Sequence, residues 1–114
     1  MNGPAEVVLL WRPGCVFCSA LRRRLDGAGL DYEARDIWQD PEAAALVRTF
    51  AGGSETVPTV VVDGQGMVDP TARQVLEVVH RAAPERLPAG YEPPPPGRLA
   101  RFVTRLLGGG SPTS

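Results

Sequence analysis

The only two cysteines of this 114-residue chain stand three positions apart, in Trp11-Arg12-Pro13-Gly14-Cys15-Val16-Phe17-Cys18-Ser19. Their surroundings constrain the fold more than any other feature. Before them, Val7, Val8, Leu9, Leu10 and Trp11 form a short continuous apolar run, the pattern of a strand buried on both faces. After them, Leu21 and Leu25 recur at helical spacing, with Arg22, Arg23 and Arg24 between them. The pair therefore marks the handover from a buried strand to a helix.

That placement has chemical consequences. Unpaired N–H groups and the positive end of the macrodipole at a helix start stabilise an anion, so a cysteine there is biased toward thiolate, the form that attacks disulfides. Arg12, three residues before Cys15, adds a permanent positive charge that acts in the same direction. Cys18 lies one turn deeper, shielded by the helix. The spacing predicts that Cys15 attacks and Cys18 resolves the mixed disulfide.

The rest of the chain reads as alternating strands and helices. A strand over Glu6–Trp11 and a helix over Cys15–Asp26 are followed by Gly27-Ala28-Gly29, a helix stop. Leu30–Asp36 alternates apolar and charged residues as a strand does. Asp40-Pro41 is a helix cap followed by proline at the first helical position, and the helix continues to Phe50 before Gly52-Gly53. Val57–Val62 is a strand, Asp63-Gly64 a hairpin turn and Met67-Val68 the return strand. Asp69-Pro70-Thr71 again combines a cap with proline, and opens a helix carrying Val75, Leu76, Val78 and Val79. The order βαβ then αββα describes a small α/β sandwich with a mixed sheet.

From Leu87 the composition changes. Residues 87–97 form a proline-rich linker, expected to be extended. Within 98–107, Leu99, Phe102, Val103, Leu106 and Leu107 alternate with Arg98, Arg101 and Arg105 as a basic amphipathic helix, and 108–114 form a disordered tail. Residues 1–86 make the α/β domain. Three surfaces are open to the basic helix: its own domain, a partner protein or a membrane surface.

Composition excludes several function classes. With a net charge of −1, the chain carries no basic surplus for nucleic acid. No apolar segment approaches the ~20 residues that span a bilayer, and the N-terminus lacks a basic region before its apolar run. A reducing cytoplasm is the expected location, where a close cysteine pair is catalytic, redox-sensing or metal-binding rather than structural. A structural zinc site needs four ligands, and beyond the cysteines the chain offers only His80 and scattered carboxylates. His80 reads as a surface or capping residue near a helix end. Arg22–Arg24 reads as a solvated helix face, and Trp11 and Trp38 as core or rim packing, with Trp11 a further candidate to flank the substrate groove.

Four stretches together resemble the glutaredoxins of the thioredoxin superfamily, with the nearest likeness to actinobacterial mycoredoxins. They are Cys15-Val16-Phe17-Cys18, Asp36-Ile37, Gly52 to Val60 with its Thr56-Val57-Pro58, and Val68-Asp69-Pro70-Thr71. The resemblance implies a thioredoxin-like three-layer sandwich, a four-stranded mixed sheet with helices on both faces. It implies a thiol–disulfide oxidoreductase with Cys15 and Cys18 as catalytic residues. Arg12, Phe17, Thr56, Val57, Pro58 and Asp69 are implied to line the substrate site, Pro58 being a cis-proline facing Cys15. No metal or tightly bound cofactor is implied, only a low-molecular-weight thiol as co-substrate. Glutathione-using relatives carry Gly-Gly and an acidic residue after the fourth strand. Here Val68-Asp69 and Ala72 stand at those positions, which favours mycothiol over glutathione. The partners implied are disulfide-containing or thiolated proteins and a reductase, acting on a monomer. Two other readings stay open: a thioredoxin-like dithiol donor to protein disulfides, and a redoxin-fold protein binding an Fe–S cluster or metal.

Overall fold

The computed structural model describes residues 5–93. The expected basic helix at 98–107, the tail at 108–114 and the last part of the proline-rich linker lie outside the described residues. Seven main elements follow one another: β1 (Val7–Trp11), α1 (Val16–Gly27), β2 (Glu33–Asp36), α2 (Pro41–Phe50), β3 (Thr59–Val62), β4 (Gln65–Val68) and α3 (Ala72–Ala82). A short 3₁₀ turn spans Pro84–Arg86.

The strands pair in the order β2-β1-β3-β4. β1 runs parallel to β2 and antiparallel to β3, and β4 is antiparallel to β3, so the sheet is mixed. Because strand side chains alternate between faces, β1 contributes to both sides. Val7 and Leu9 join Leu21, Leu25, Val60, Val62, Val75, Leu76 and Val79 on one face. Val8 and Leu10 join Ile37, Ala43, Ala44, Val47 and Val61 on the other. Helices α1 and α3 thus cover one face and α2 the other, giving three layers. The continuous apolar run of β1 is the direct consequence of its central position.

Local chemistry fixes the element ends. Asp40 accepts from the N–H groups of Glu42 and Ala43 (3.1 and 3.2 Å), with Pro41 opening α2. Asp63 and Gly64, at φ 49° and 83°, make a two-residue hairpin turn between β3 and β4. The cap of α3 is Thr71, in a reciprocal capping box with Gln74, while Asp69 adopts a left-handed φ of 52° two residues earlier.

Some boundaries differ from the sequence reading. β2 begins at Glu33 rather than Leu30, because the Asp31 N–H donates to the Arg86 carbonyl (2.8 Å) instead of β1. The Arg86 guanidinium also donates to the Asp31 carboxylate (2.7 Å), tying β2's entrance to the end of the domain. β3 starts at Thr59, after a cis Val57-Pro58 peptide. The packed unit also continues into the proline-rich stretch: Leu87 is buried in the larger core cluster, and Tyr91 packs against it.

Candidate active site

Cys15 caps α1. Its sulfur accepts the Cys18 backbone N–H at 3.2 Å, the place a hydroxyl or carboxylate oxygen takes at an ordinary helix start. Pro13 and Gly14, the latter at φ 79°, form the turn that lets the chain leave β1 and present the cysteine there.

Cys15 also meets the other end of the site. Its thiol lies 3.9 Å from the Val57 carbonyl oxygen, just before the buried Pro58. The Thr56–Thr59 segment is held by the buried Thr59 hydroxyl, which donates to the Thr56 carbonyl at 2.9 Å. The Asp69 N–H donates to the Pro58 carbonyl at 2.8 Å, so the end of β4 is fixed beside this turn.

Cys18 is more deeply buried than Cys15. Burial first, then the neighbouring Cys15 sulfur, pushes its thiol up to about 12, against a weaker opposing pull from the Arg12 backbone. The two sulfurs are therefore unequal: one accepts a backbone N–H at the helix start, and the other is held protonated behind it.

A groove of about 460 Å³ runs beside the pair, lined on its α1 side by Phe17, Ala20, Leu21 and Arg24. Its opposite wall is Pro58 with the Asp69–Ala72 segment. It brings together three of the sequence-selected positions, Phe17, Pro58 and Asp69, with Phe17 largely exposed. Val57 stands next to Cys15. Thr56 contributes its carbonyl to Thr59 and shares a hydroxyl hydrogen bond with Ser54. Arg12 is outside this groove. It donates to the Pro13 carbonyl (3.3 Å) and lies 5.7 Å from the centre of the Trp38 ring.

The structure adds residues that the sequence did not single out for the site, and moves others. Arg24 and Thr71 line the groove. Trp38, read as core or rim packing, is exposed, because it sits on the turn after β2 with its N–H donated to the Asp36 carboxylate (2.9 Å). Parallel pairing of Trp11 with Asp36 was the signal available: it puts the end of β2 beside the end of β1. Trp11 is half-buried under the Arg22 guanidinium, 5.1 Å from its ring centre, and packs against the α1/α3 core. His80 is exposed on the last turn of α3, with its ring 5.9 Å from Tyr91. Among the described residues, no helix is long and apolar enough to cross a membrane.

A dithiol at a helix start, facing the turn before a buried proline on a β2-β1-β3-β4 sheet, places the chain among the thioredoxin-fold proteins. Within that class it belongs to the glutaredoxin family, whose profile matches residues 7–67. A protein of Mycobacterium tuberculosis (strain CDC 1551 / Oshkosh) that carries a glutaredoxin name is 36% identical over 62 residues, covering 54% of this chain and 74% of that one. The Gene 56 protein of Mycobacterium phage L5 is 37% identical over 59 residues, 52% of this chain, and the match spans only 56% of the phage protein. Among solved structures, a glutaredoxin from Archaeoglobus fulgidus superposes with a TM-score of 0.57 at 23% identity, over 68% of this chain and 88% of its own. The thioredoxin-like protein BC3987 gives 0.57 at 20% identity, over 64% and 99%. These two likenesses concern the fold.

Proposed function

We propose that the chain is a thiol–disulfide oxidoreductase that reduces mixed disulfides between proteins and a low-molecular-weight thiol, mycothiol in preference to glutathione. The observation that carries this reading is the position of the Cys15 sulfur, 3.2 Å from the Cys18 N–H and 3.9 Å from the Val57 carbonyl. The first contact fixes the sulfur at the start of α1. The second places it beside backbone able to pair with an extended, peptide-like thiol.

The steps balance as follows. The Cys15 thiolate attacks the small-thiol sulfur of the mixed disulfide. A bond forms between those two sulfurs, the original S–S bond breaks, and its electron pair leaves on the substrate cysteine, which takes a proton from water. A second small thiol, as thiolate, then attacks the small-thiol sulfur bound to Cys15. That frees Cys15 and yields the symmetric small-molecule disulfide. Alternatively Cys18 attacks Cys15, releasing the small thiol and leaving a Cys15–Cys18 disulfide that a reductase must reduce.

Phe17, Pro58 and Asp69 form walls of the small-thiol groove, with Thr56 and Val57 at its backbone end and Arg12 supplying positive charge near Cys15. The side chains of Val68 and Asp69 stand where glutathione-using relatives have glycines, and Ala72 stands where they have an acidic residue, so the backbone cradle and the carboxylate for a γ-glutamyl group are both missing there. The protein acts as a monomer in a reducing cytoplasm on thiolated or disulfide-containing proteins.

The test is steady-state reduction of one model mixed disulfide with mycothiol, glutathione or a flavin reductase system as electron donor. Turnover with mycothiol that clearly exceeds turnover with glutathione supports the reading. Activity only through the reductase, lost in Cys18→Ser, assigns the chain to dithiol donors instead.

A further inference from the structure

The large apolar side chains that the described residues leave most exposed are Val16 (76%), Phe17 (73%) and Trp38 (63%). Val16 and Phe17 directly follow Cys15. Trp38 reaches the same end of the molecule by topology. Parallel β1 and β2 end side by side, with Trp11 opposite Asp36 and the Ile37 N–H donated to the Trp11 carbonyl at 2.8 Å. The sheet order sets the rest. Pro58 and Asp69 border β3 and β4 on one flank of β1, and Trp38 follows β2 on the other. Cys15 thus stands between a groove on one side and a tryptophan on the other.

This tryptophan is held on a fixed turn. Its backbone N–H donates to the Asp36 carboxylate at 2.9 Å, and the backbone N–H groups of Gln39 and Asp40 donate to the Asp36 carbonyl at 3.1 and 3.0 Å. A large aromatic surface on a rigid backbone and open to water is the kind of group that anchors partner polypeptides. The Arg12 guanidinium lies over its ring at 5.7 Å. Among the described residues the ion pairs join Arg35 to Asp40 and Glu42, Arg48 to Glu55, and Arg86 to Asp31, and none involves Arg12. The Asp36 carboxylate on this turn accepts the Trp38 backbone N–H on one oxygen. A cation in no ion pair among the described residues, stacked on an exposed ring and three residues before the attacking cysteine, is complementary to an acidic segment.

We propose that Trp38, with Arg12 stacked on it, docks the polypeptide half of the substrate and selects cysteines flanked by carboxylate side chains. The inference rests on the mixed-disulfide reading above. With the small thiol in the Phe17–Pro58–Asp69 groove that flank is filled, and the flank left open to the protein half of the disulfide is the one that carries Trp38. Trp38 is then a specificity-determining residue: it supplies apolar contact and positions Arg12, and takes no part in bond exchange.

The test uses two synthetic peptides as mixed disulfides with mycothiol, one with aspartate on each side of its cysteine, the other with lysine. For the wild type, kcat/KM favours the acidic peptide by about fivefold at low salt, and the ratio shrinks as salt screens the charges. Trp38→Ala brings the ratio close to one, mainly through KM, whereas Trp38→Phe, which keeps a ring under Arg12, retains most of it. Circular dichroism and thermal unfolding check that both variants fold. Equal turnover of the two peptides, or a preference that Trp38→Ala leaves intact, overturns the inference while leaving the oxidoreductase reading in place. A concentration-dependent dimer abolished by Trp38→Ala would assign the patch to a second copy and overturn it too. Turnover of neither peptide removes the mixed-disulfide reading and this inference with it.

Discussion

The inequality of the two thiols makes a quantitative prediction about alkylation by iodoacetamide. Cys18 is held up to about 12 by burial and by the neighbouring Cys15 sulfur. At about pH 8, a thiol at that value is ionised to roughly one part in ten thousand, whereas an ordinary cysteine near 8.5 is about one quarter thiolate. Ionisation alone therefore slows Cys18 by roughly 2,500-fold, about 3.4 orders of magnitude. The rarer thiolate is intrinsically more nucleophilic, and with a Brønsted slope of about 0.4–0.5 this recovers about one and a half of those orders. The residue left is roughly a hundredfold, to which the burial of the sulfur adds an access barrier. The assay is brief alkylation of the reduced protein with N-acetylcysteine as internal competitor, followed by peptide mass spectrometry at low conversion. Cys15 should carry nearly all of the protein label, with Cys18 labelled about a hundred times more slowly than the competitor. Labelling of Cys18 within a few-fold of the competitor would refute both the protonated state assigned to it and its place as the slower sulfur.

Other consequences follow from the packing and the caps. A Cβ on Gly66 would collide with the Phe50 ring, so Gly66→Ala should force that ring aside and destabilise the fold by about 1–3 kcal/mol, read by urea unfolding. Thr71→Ala removes a cap that accepts the Gln74 N–H at 3.1 Å, and should cost about 1 kcal/mol in the same assay. A thiol whose folded-state pKa is raised stabilises the fold fully below its unfolded value of about 8.5, and loses that contribution as pH rises toward 12. The reduced protein should therefore weaken with rising pH above about 9, and Cys18→Ala should flatten that slope. Tyr32, raised chiefly by burial, contributes the same sign in both proteins, so the difference between them isolates Cys18.

The parts of this fold written in local sequence were legible, and those written in long-range contacts were not. The run Val7–Trp11 announced a strand with both faces covered, which its central position in β2-β1-β3-β4 explains. Asp40-Pro41 and Asp63-Gly64 carried their cap and turn in the residues themselves. The start of β2 could not be read in the same way, because the N–H of Asp31 is claimed by Arg86, far along the chain. Leu87 sits inside a proline-rich composition, yet packs in the core because that stretch turns back against α1 and α3. For the site, the cysteine spacing and Thr56-Val57-Pro58 named residues that the fold does bring together, across 42 positions between Cys15 and Val57. Trp38 escaped notice because tryptophan is read as core by default, and only the parallel register of β1 and β2 shows it beside Arg12.

The central claim is that Cys15, and not Cys18, takes the small thiol from the substrate. Intact-mass analysis of Cys18→Ser and Cys15→Ser, each mixed with a mycothiol mixed disulfide of a model peptide, tests it most directly. The account predicts that Cys18→Ser gains the mass of one mycothiol, localised to Cys15 and released by further mycothiol, while Cys15→Ser gains none. A mycothiol adduct on Cys18 in the Cys15→Ser protein at a comparable rate, or no adduct on Cys15 in the Cys18→Ser protein, would contradict it.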